Sequence, residues 1–309
     1  MNKNFTVDND FINSRLDRWF KKKVSLVPQS LIEKNIRKGN IKVNNKRKKS
    51  SYKLQEKDII ILKNIDLKPT KYKIKKEHYR PSKKEVNYSS SIFIENNENF
   101  VVINKPAGIA VQSGTKSRRN IIDMLRETRE FEGHNPFTVH RIDKETTGIL
   151  IVAKNRKYAQ LFTSLFRIRK IHKSYLGIVI GEFDKKKGTL IDDLIHYEGD
   201  KKIISKAITH YEVLDTNNKY SLLKLNPETG RKHQLRKQLF KIGHSIYGDQ
   251  KYSTTNSLKG INKNLMLHSY QIKFIINDKK YTFTAPLPDY FQKLMKSKRI
   301  IFPSYLKNF

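Results

Sequence analysis

The sequence predicts an α+β protein of two domains joined by a basic linker, and three observations point there. The chain has 309 residues, which fits about two domains of ~150 residues each. Short β-branched runs such as Ile149–Ala153 recur between segments of helical spacing. The composition also shifts: residues 63–90 are rich in Lys, Tyr, Asn and Ser with little periodicity, and from residue 91 it becomes that of a globular core. The boundaries read as 12–63 for a compact basic unit, 64–90 for the linker and 91–309 for the larger domain.

In the first unit, Leu16, Trp19 or Phe20 and Val24 follow helical spacing, and Ser14 with Asp17 has the form of a capping box. Pro28 suits the start of a second helix with Leu31, Ile32 and Ile36 on one face, and Gly39 suits its end. Ile41-Lys42-Val43 alternates as a strand, Asn44-Asn45 forms a turn, and residues 58–62 make another strand. Lys34, Arg37, Lys38, Lys42, Lys46, Arg47, Lys48 and Lys49 recur on both helix and hairpin. A charge run is usually a solvated face, but its recurrence on two elements favours phosphate binding. In the linker, Pro69, Pro81, Tyr72, Tyr79 and Tyr88 are interleaved with cations, a pattern compatible with a solvated tether or with a strand laid along a polyanion.

In the larger domain, residues 92–94 and 100–103 are strands about a turn at 96–99. Asn104-Lys105-Pro106-Ala107-Gly108 turns the chain, and Lys105 is read as part of that turn rather than as a phosphate ligand. Residues 121–128 form a helix. Asn155 caps another, with Ala159, Phe162, Leu165 and Phe166 inward. Residues 173–180 are a strand whose polar entrance holds Tyr175, by itself an amphipathic filler with a wet hydroxyl. Residues 208–214 and 220–225 are further strands. Leu235, Leu239 and Ile242 mark a buried helical stripe, and the amides at that helix start, with Arg231 and Arg236, favour an anion. The tail from residue 298 carries no clear signal.

The most informative stretch is Val139 to Lys154, VHRIDKETTGILIVAK. A dense polar cluster runs directly into a short apolar strand, so its side chains are exposed yet held from behind. Asp143 lies between the cations Arg141 and Lys144, a setting that suits a nucleophilic carboxylate. An Asp before a strand is more often a turn or cap residue, and spacing alone does not decide between the two.

Composition limits the function classes. Lys and Arg number 64 against 29 acids, for a net charge of +35, which points to a polyanionic partner. No amphipathic anchor or lipidation signal favours a membrane surface, and no apolar run approaches the ~18 residues of a span. The chain has no cysteine, so disulfides and thiolate metal sites are excluded; a reducing compartment fits. The nine histidines show no metal-ligand spacing. The first residues lack the apolar core of a signal peptide, so secretion is not expected.

HRIDKETTG resembles the HRLDxxTSG signature of the RluA-type pseudouridine synthases. Ile142 replaces Leu and keeps its apolar volume; Thr147 replaces Ser and keeps its hydroxyl. NKPAG at 104–108, the KxY spacing at 173–175 and TGRKHQLR at 229–236 match the same family in order, followed by GHSIYGDQKY and LMLHSYQIKF. The series RLDRWF, PQSLIEKNIRKGNIKVNNK and YKLQEKDIII resembles the small RNA-binding domain named for small-subunit ribosomal protein four, and is especially close to the copy carried by large-subunit rRNA synthases of the family. The resemblance covers nearly the whole chain.

It implies a mixed, mainly antiparallel sheet flanked by helices, with RNA in a central cleft, and isomerisation of uridine to pseudouridine without cofactor or metal. It implies Asp143 as the catalytic carboxylate, Arg236 as its partner, and Tyr175 as the active-site tyrosine. Arg141 is expected to fill the space left by the extruded base. Lys34, Arg37, Lys38, Lys42, Lys46, Arg47 and Arg231 are expected to touch RNA. The implied substrate is large-subunit ribosomal RNA, met in the cytoplasm by a monomer without an obligate protein partner. Two rivals stand beside this reading. One is a ribosome assembly factor that binds rRNA without turnover. The other is a glycosidic hydrolase, which usually needs a second carboxylate; Glu145 is the candidate nearest in sequence.

Overall fold

The computed structural model describes residues 2–8, 11–25, 27–63, 65, 79–113, 118–198, 201–253 and 264–306. The chain divides into two compact units, residues 1–77 and 78–309.

The first unit comprises β1 (Asn2–Thr6), α1 (Leu16–Lys23), α2 (Gln29–Lys38), β2 (Ile41–Val43) and β3 (Ile59–Lys63). Its sheet runs β1-β3-β2, antiparallel throughout. Leu16, Trp19, Phe20, Ile32 and Ile36 from the helices share one core with Ile41, Val43, Ile60 and Leu62 from the strands. Full burial of such side chains contributes about 1.5–3 kcal/mol each. The Asn44-Asn45 turn takes two left-handed residues, φ +48° and +61°, which Asn tolerates. Gly39 ends α2 at φ +76°.

Two expectations change here. The unit starts before residue 12, because β1 pairs with β3 from Asn2↔Lys63 to Thr6↔Ile59. That pairing is long-range, and the polar run NKNFT carries little strand signal by itself. Ser14 and Asp17 do not form a capping box: Arg15 is the N-cap residue and makes no side-chain cap. Arg15 instead binds the Asp17 carboxylate at 2.6 and 3.1 Å, and Gln29 binds it at 2.8 Å, which ties α1 to the start of α2. Of the expected RNA-binding cations, Lys34, Arg37, Lys38, Lys46 and Arg47 are exposed and Lys42 is half-buried.

The second unit opens with α3 (Lys83–Ser90), inside the stretch read as linker. Ser82 and Glu85 form a reciprocal capping box at its start, with Ser82 N–H to Glu85 at 3.0 Å and Glu85 N–H to Ser82 Oγ at 3.4 Å. The rest of that stretch, with Tyr72, lies outside the described residues apart from residues 65 and 79–82. There follow β4 (Phe93–Asn96), β5 (Phe100–Lys105), α4 (Ile121–Arg126), β6 (Phe137–Thr138), β7 (Thr147–Ala153), α5 (Arg156–Arg167), β8 (His172–Ile180), β9 (Lys187–Glu198), β10 (Lys201–Asn217) and β11 (Tyr220–Pro227). The chain continues with α6 (Gln234–Lys241), β12 (Leu267–Ile276), β13 (Lys279–Thr284) and α7 (Asp289–Ser297).

One sheet runs β4-β5-β7-β12-β8-β11-β10-β9, with β13 on β12 and β6 on β7. Among the described residues, every strand pair of this sheet is antiparallel except β7 with β12, so the sheet is mixed and mainly antiparallel. β7 is buried along its whole length. Leu150 and Val152 face the cluster that includes Ile121 and Leu125 of α4, while Ile149, Ile151 and Ala153 face Phe162 of α5. Gly148 lies at the parallel contact with φ +101°, and a Cβ there would fall 2.2 Å from the Ser269 carbonyl oxygen. Only glycine lets β7 and β12 approach so closely directly behind the Asp143 loop.

β9 was not foreseen. Its pattern is weakened by Asp192, Asp193 and the lysines before it, and it forms through a long register with β10 from Lys187↔Glu212 to Glu198↔Lys201. In α6, Leu235 and Leu239 are buried as expected, but Ile242 is 42% exposed. The helix ends at Lys241, and Ile242 as its C-terminal cap leaves the stripe.

Candidate active site

Three neighbouring parts of the sheet meet at one cavity of about 530 Å³. The loop between β6 and β7 supplies Arg141 and Asp143, β8 supplies Lys173 and Tyr175, and the segment from β11 into α6 supplies residues 227–236. The loop is anchored from behind. His140 Nε2 accepts the Ile151 N–H at 2.8 Å, and its ring stacks on Phe166 with centroids 4.5 Å apart. Burial pushes His140 down to about 3, so it stays neutral and structural. Lys105 is wholly buried and donates to the carbonyls of Pro106, Ile109 and Lys144 at 2.8, 3.0 and 3.0 Å. Burial pushes its ammonium down to about 7, and its place is inside the fold, bracing the residue after Asp143.

Asp143 meets two groups from the start of α6. Arg236 Nη1 lies 3.4 Å from Asp143 Oδ2, and His233 Nε2 lies 3.8 Å from Oδ1. Arg236 is held more tightly by another acid. Asp249 receives its Nε and Nη2 at 2.7 and 2.8 Å, and also the backbone N–H groups of Lys251 and Tyr252 at 2.9 and 3.0 Å. Burial opposes the Asp249 charge, but Arg236 and these amides outweigh it and hold the carboxyl below its usual range. Burial likewise works against the Arg236 charge, and Asp249 with Asp143 more than offsets it. Tyr252 covers the guanidinium, 5.1 Å from its ring centroid, and its hydroxyl lies 3.0 Å from His233 Nδ1.

His233 adopts φ +56°, a left-handed conformation uncommon for a non-glycine residue and typical of functional turns. Burial holds its pKa below the ordinary value, against the pull of Asp143. The nearby carboxylate favours the neutral tautomer with the proton on Nε2, which leaves Nδ1 to accept from Tyr252. Gln234 fixes the turn: its oxygen accepts from Thr229 Oγ1 at 2.7 Å and Arg231 N–H at 3.0 Å, and its nitrogen donates to Ile208 and Thr209 on β10.

Tyr175 lines the cavity beside Asp143. Burial pushes its phenol up to about 12, and the Asp143 charge adds to the shift while a hydrogen bond with Ser269 opposes it. Arg141 is exposed on the cavity wall, as is Arg231, whose Nε also donates to the Lys206 carbonyl at 3.2 Å. Glu145 does not line the cavity; the second lining acid is Glu228, engaged by His210 at 2.7 Å and Arg169 at 3.8 Å. Asp143, Tyr175, Arg236, Arg141 and Arg231 thus share one cavity. Among the described residues, no group of three His, Asp or Glu converges as a metal site. His233, Asp249 and Tyr252 had no expected role, although His233 lies in the TGRKHQLR segment and the other two in GHSIYGDQKY, both matched to the family.

A family model described as RNA pseudouridylate synthase matches residues 99–241, a span that holds Asp143, Tyr175 and Arg236. The chain belongs to this family of RNA-modifying isomerases, in agreement with the likeness to the RluA-type enzymes. It is 32% identical over 302 residues to the ribosomal large subunit pseudouridine synthase C of Rickettsia bellii, covering 93% of this chain and 98% of that one. To the protein of the same name from Buchnera aphidicola subsp. Schizaphis graminum it is 31% identical over 306 residues, covering 94% and 96%. Among solved structures it is similar to human RNA Pseudouridylate Synthase Domain Containing 4, with a TM-score of 0.61 and 25% identity, covering 72% of this chain and 99% of that one.

Proposed function

We propose that the protein converts specific uridines of large-subunit ribosomal RNA to pseudouridine, in the cytoplasm, with Asp143 as the catalytic carboxylate. The observation that carries the reading is the meeting of Asp143, Tyr175 and Arg236 in one cavity, together with relatives named for the large ribosomal subunit along almost their whole length.

The reaction breaks the bond between nitrogen 1 and the ribose, turns the uracil, joins carbon 5 to the ribose and moves the carbon 5 proton away. A stacked base cannot turn, so the uridine leaves the helix and enters the cavity, with Arg141 at the mouth to fill the vacated place. Arg236 and His233 orient the Asp143 carboxylate, and Asp249 and Tyr252 hold those two in turn. Tyr175 offers a ring for the base to stack on. Its phenol, pushed up to about 12, is protonated at neutral pH, so the hydroxyl acts as a relay that accepts one proton while releasing its own. In the first unit, the exposed Lys34, Arg37, Lys38, Lys46 and Arg47, with the half-buried Lys42, supply phosphate contacts that anchor rRNA.

Mapping pseudouridine across rRNA from cells with and without the protein tests this reading. Loss of discrete large-subunit sites, restored by the wild-type chain and not by Asp143→Asn, is the expected result. An unchanged large-subunit map contradicts it.

A further inference from the structure

Resting on the reading above, we infer that Lys173 is the seat of a backbone phosphate flanking the target uridine. Lys173 and Tyr175 lie two residues apart on β8, so their side chains share one face of the strand, ~7 Å apart along it. Both line the cavity. The strand therefore sets a cation at a fixed distance from the ring proposed to stack on the base.

The state of this lysine sets it apart from Lys105. The Lys105 ammonium is matched by three carbonyl oxygens. Lys173 is half-buried, and no hydrogen bond or ion pair engages its ammonium among the described residues. Burial, and then the nearby charge of Arg169, lower its pKa. A desolvated cation without a counter-ion is costly unless a ligand supplies one. The same wall carries Arg167 beside the stacked His140 and Phe166 rings. The acid on this rim, Glu228, is held by His210 and Arg169, and Asp143 faces Arg236 and His233. What the wall lacks is an anion with exposed oxygen acceptors, next to a slot for a planar base. A phosphodiester attached to that base supplies it.

The test pairs one protein change with one RNA change. The RNA is a synthetic rRNA fragment carrying a mapped target uridine, with a neutral methylphosphonate replacing either the 5′ or the 3′ flanking linkage. The proteins are the full-length wild type, Lys173→Met, which keeps the aliphatic stem, and Lys173→Arg, which keeps the charge. For the wild type, the methylphosphonate at one of the two linkages is expected to weaken binding about tenfold or more, the scale of a charge-assisted hydrogen bond. Lys173→Met is expected to lose a similar amount on unmodified RNA, to lose nothing more at that linkage, and to bind with a salt slope smaller by about 1. Lys173→Arg is expected to recover most of the affinity. Additive losses from Lys173→Met and both modified linkages overturn the assignment. So does a wild type indifferent to both linkages, a result that needs no variant to fold. Pseudouridine formation by the wild type on unmodified RNA is followed alongside: its absence counts against the functional reading, whereas missing coupling with turnover intact counts against the Lys173 site alone.

Discussion

The loop that carries Asp143 and the loop that carries Asp249 both present a carboxylate to Arg236, yet they hold it in opposite ways. The Asp249 side chain has no exposed surface, makes two short bonds to the guanidinium and accepts two backbone N–H groups. Gly248 permits that turn: at φ +78° a Cβ would lie 2.0 Å from the Asn264 carbonyl oxygen. Asp143 is 19% exposed, meets its partners at 3.4 and 3.8 Å and opens onto a cavity. A saturated carboxylate holds structure. One left with free lone pairs at a cavity wall is available for chemistry. Arg236 is thus fixed from behind, so Asp143 can change its bonding without releasing it.

The largest effect is expected from Asp249→Asn. Removing one partner of a buried ion pair costs roughly 3–5 kcal/mol, so denaturant unfolding at neutral pH is expected to show a loss on that scale. The Asp249 carboxyl is held below its ordinary value, so its stabilising effect is present above the unfolded carboxylate pKa of about 3.9 and disappears as pH falls through the folded value. The gap between wild type and Asp249→Asn is therefore expected to narrow on acidification. A gap that is absent at neutral pH means the pair does not hold Arg236.

Tyr175→Phe probes the chemical side alone. Release of tritium from carbon 5 of labelled uridine is expected to fall about 10²-fold, the usual scale for a lost proton-transfer group, with RNA affinity unchanged. Since the phenol is pushed up to about 12, wild-type release is expected to stay nearly flat between about pH 7 and 9. A tenfold rise per pH unit over that range indicates a phenolate base instead. Near-normal release by Tyr175→Phe leaves the ring as a stacking platform only.

Tyr252→Phe removes the hydroxyl that faces His233 and keeps the ring over Arg236. A single lost hydrogen bond of about 1 kcal/mol predicts a roughly fivefold slower single-turnover rate with unchanged KM. The smallest effect on chemistry is expected from deleting residues 1–77, which leave both aspartates in place. Bound-state turnover should stay within a few fold, while rRNA affinity falls, most at low salt, with a shallower salt slope. Equal affinity and slope rule out the first unit as an anchor.

Much of this was legible in the sequence, for identifiable reasons. The β7 run is continuous, β-branched and bounded by Gly148, and the Asn155 and Gly39 caps are local signals that a single segment carries. β1 and β9 were not legible, because each depends on a partner far along the chain or on a hairpin whose residues mix charge with Ile. The capping box at Ser82 and Glu85 was present and was masked by the polar composition around it. At the site, Asp143, Tyr175 and Arg236 sit in segments whose type and order were readable. Asp249 was not assigned a role, because its partner lies across a turn and no spacing rule links positions 236 and 249. Lys173 was hidden in the same way: its sequence neighbours do not show that its ammonium is unmatched.

Asp143, and not the acid beside it on Arg236, is proposed to perform the reaction. Single-turnover formation of pseudouridine by Asp143→Asn, on an rRNA fragment bound at saturating protein, tests it most directly. No detectable product is expected, with RNA affinity within a few fold of wild type, since phosphate contacts dominate binding, and unfolding close to that of the wild type. Appreciable turnover by this variant rules out Asp143 as the catalytic carboxylate.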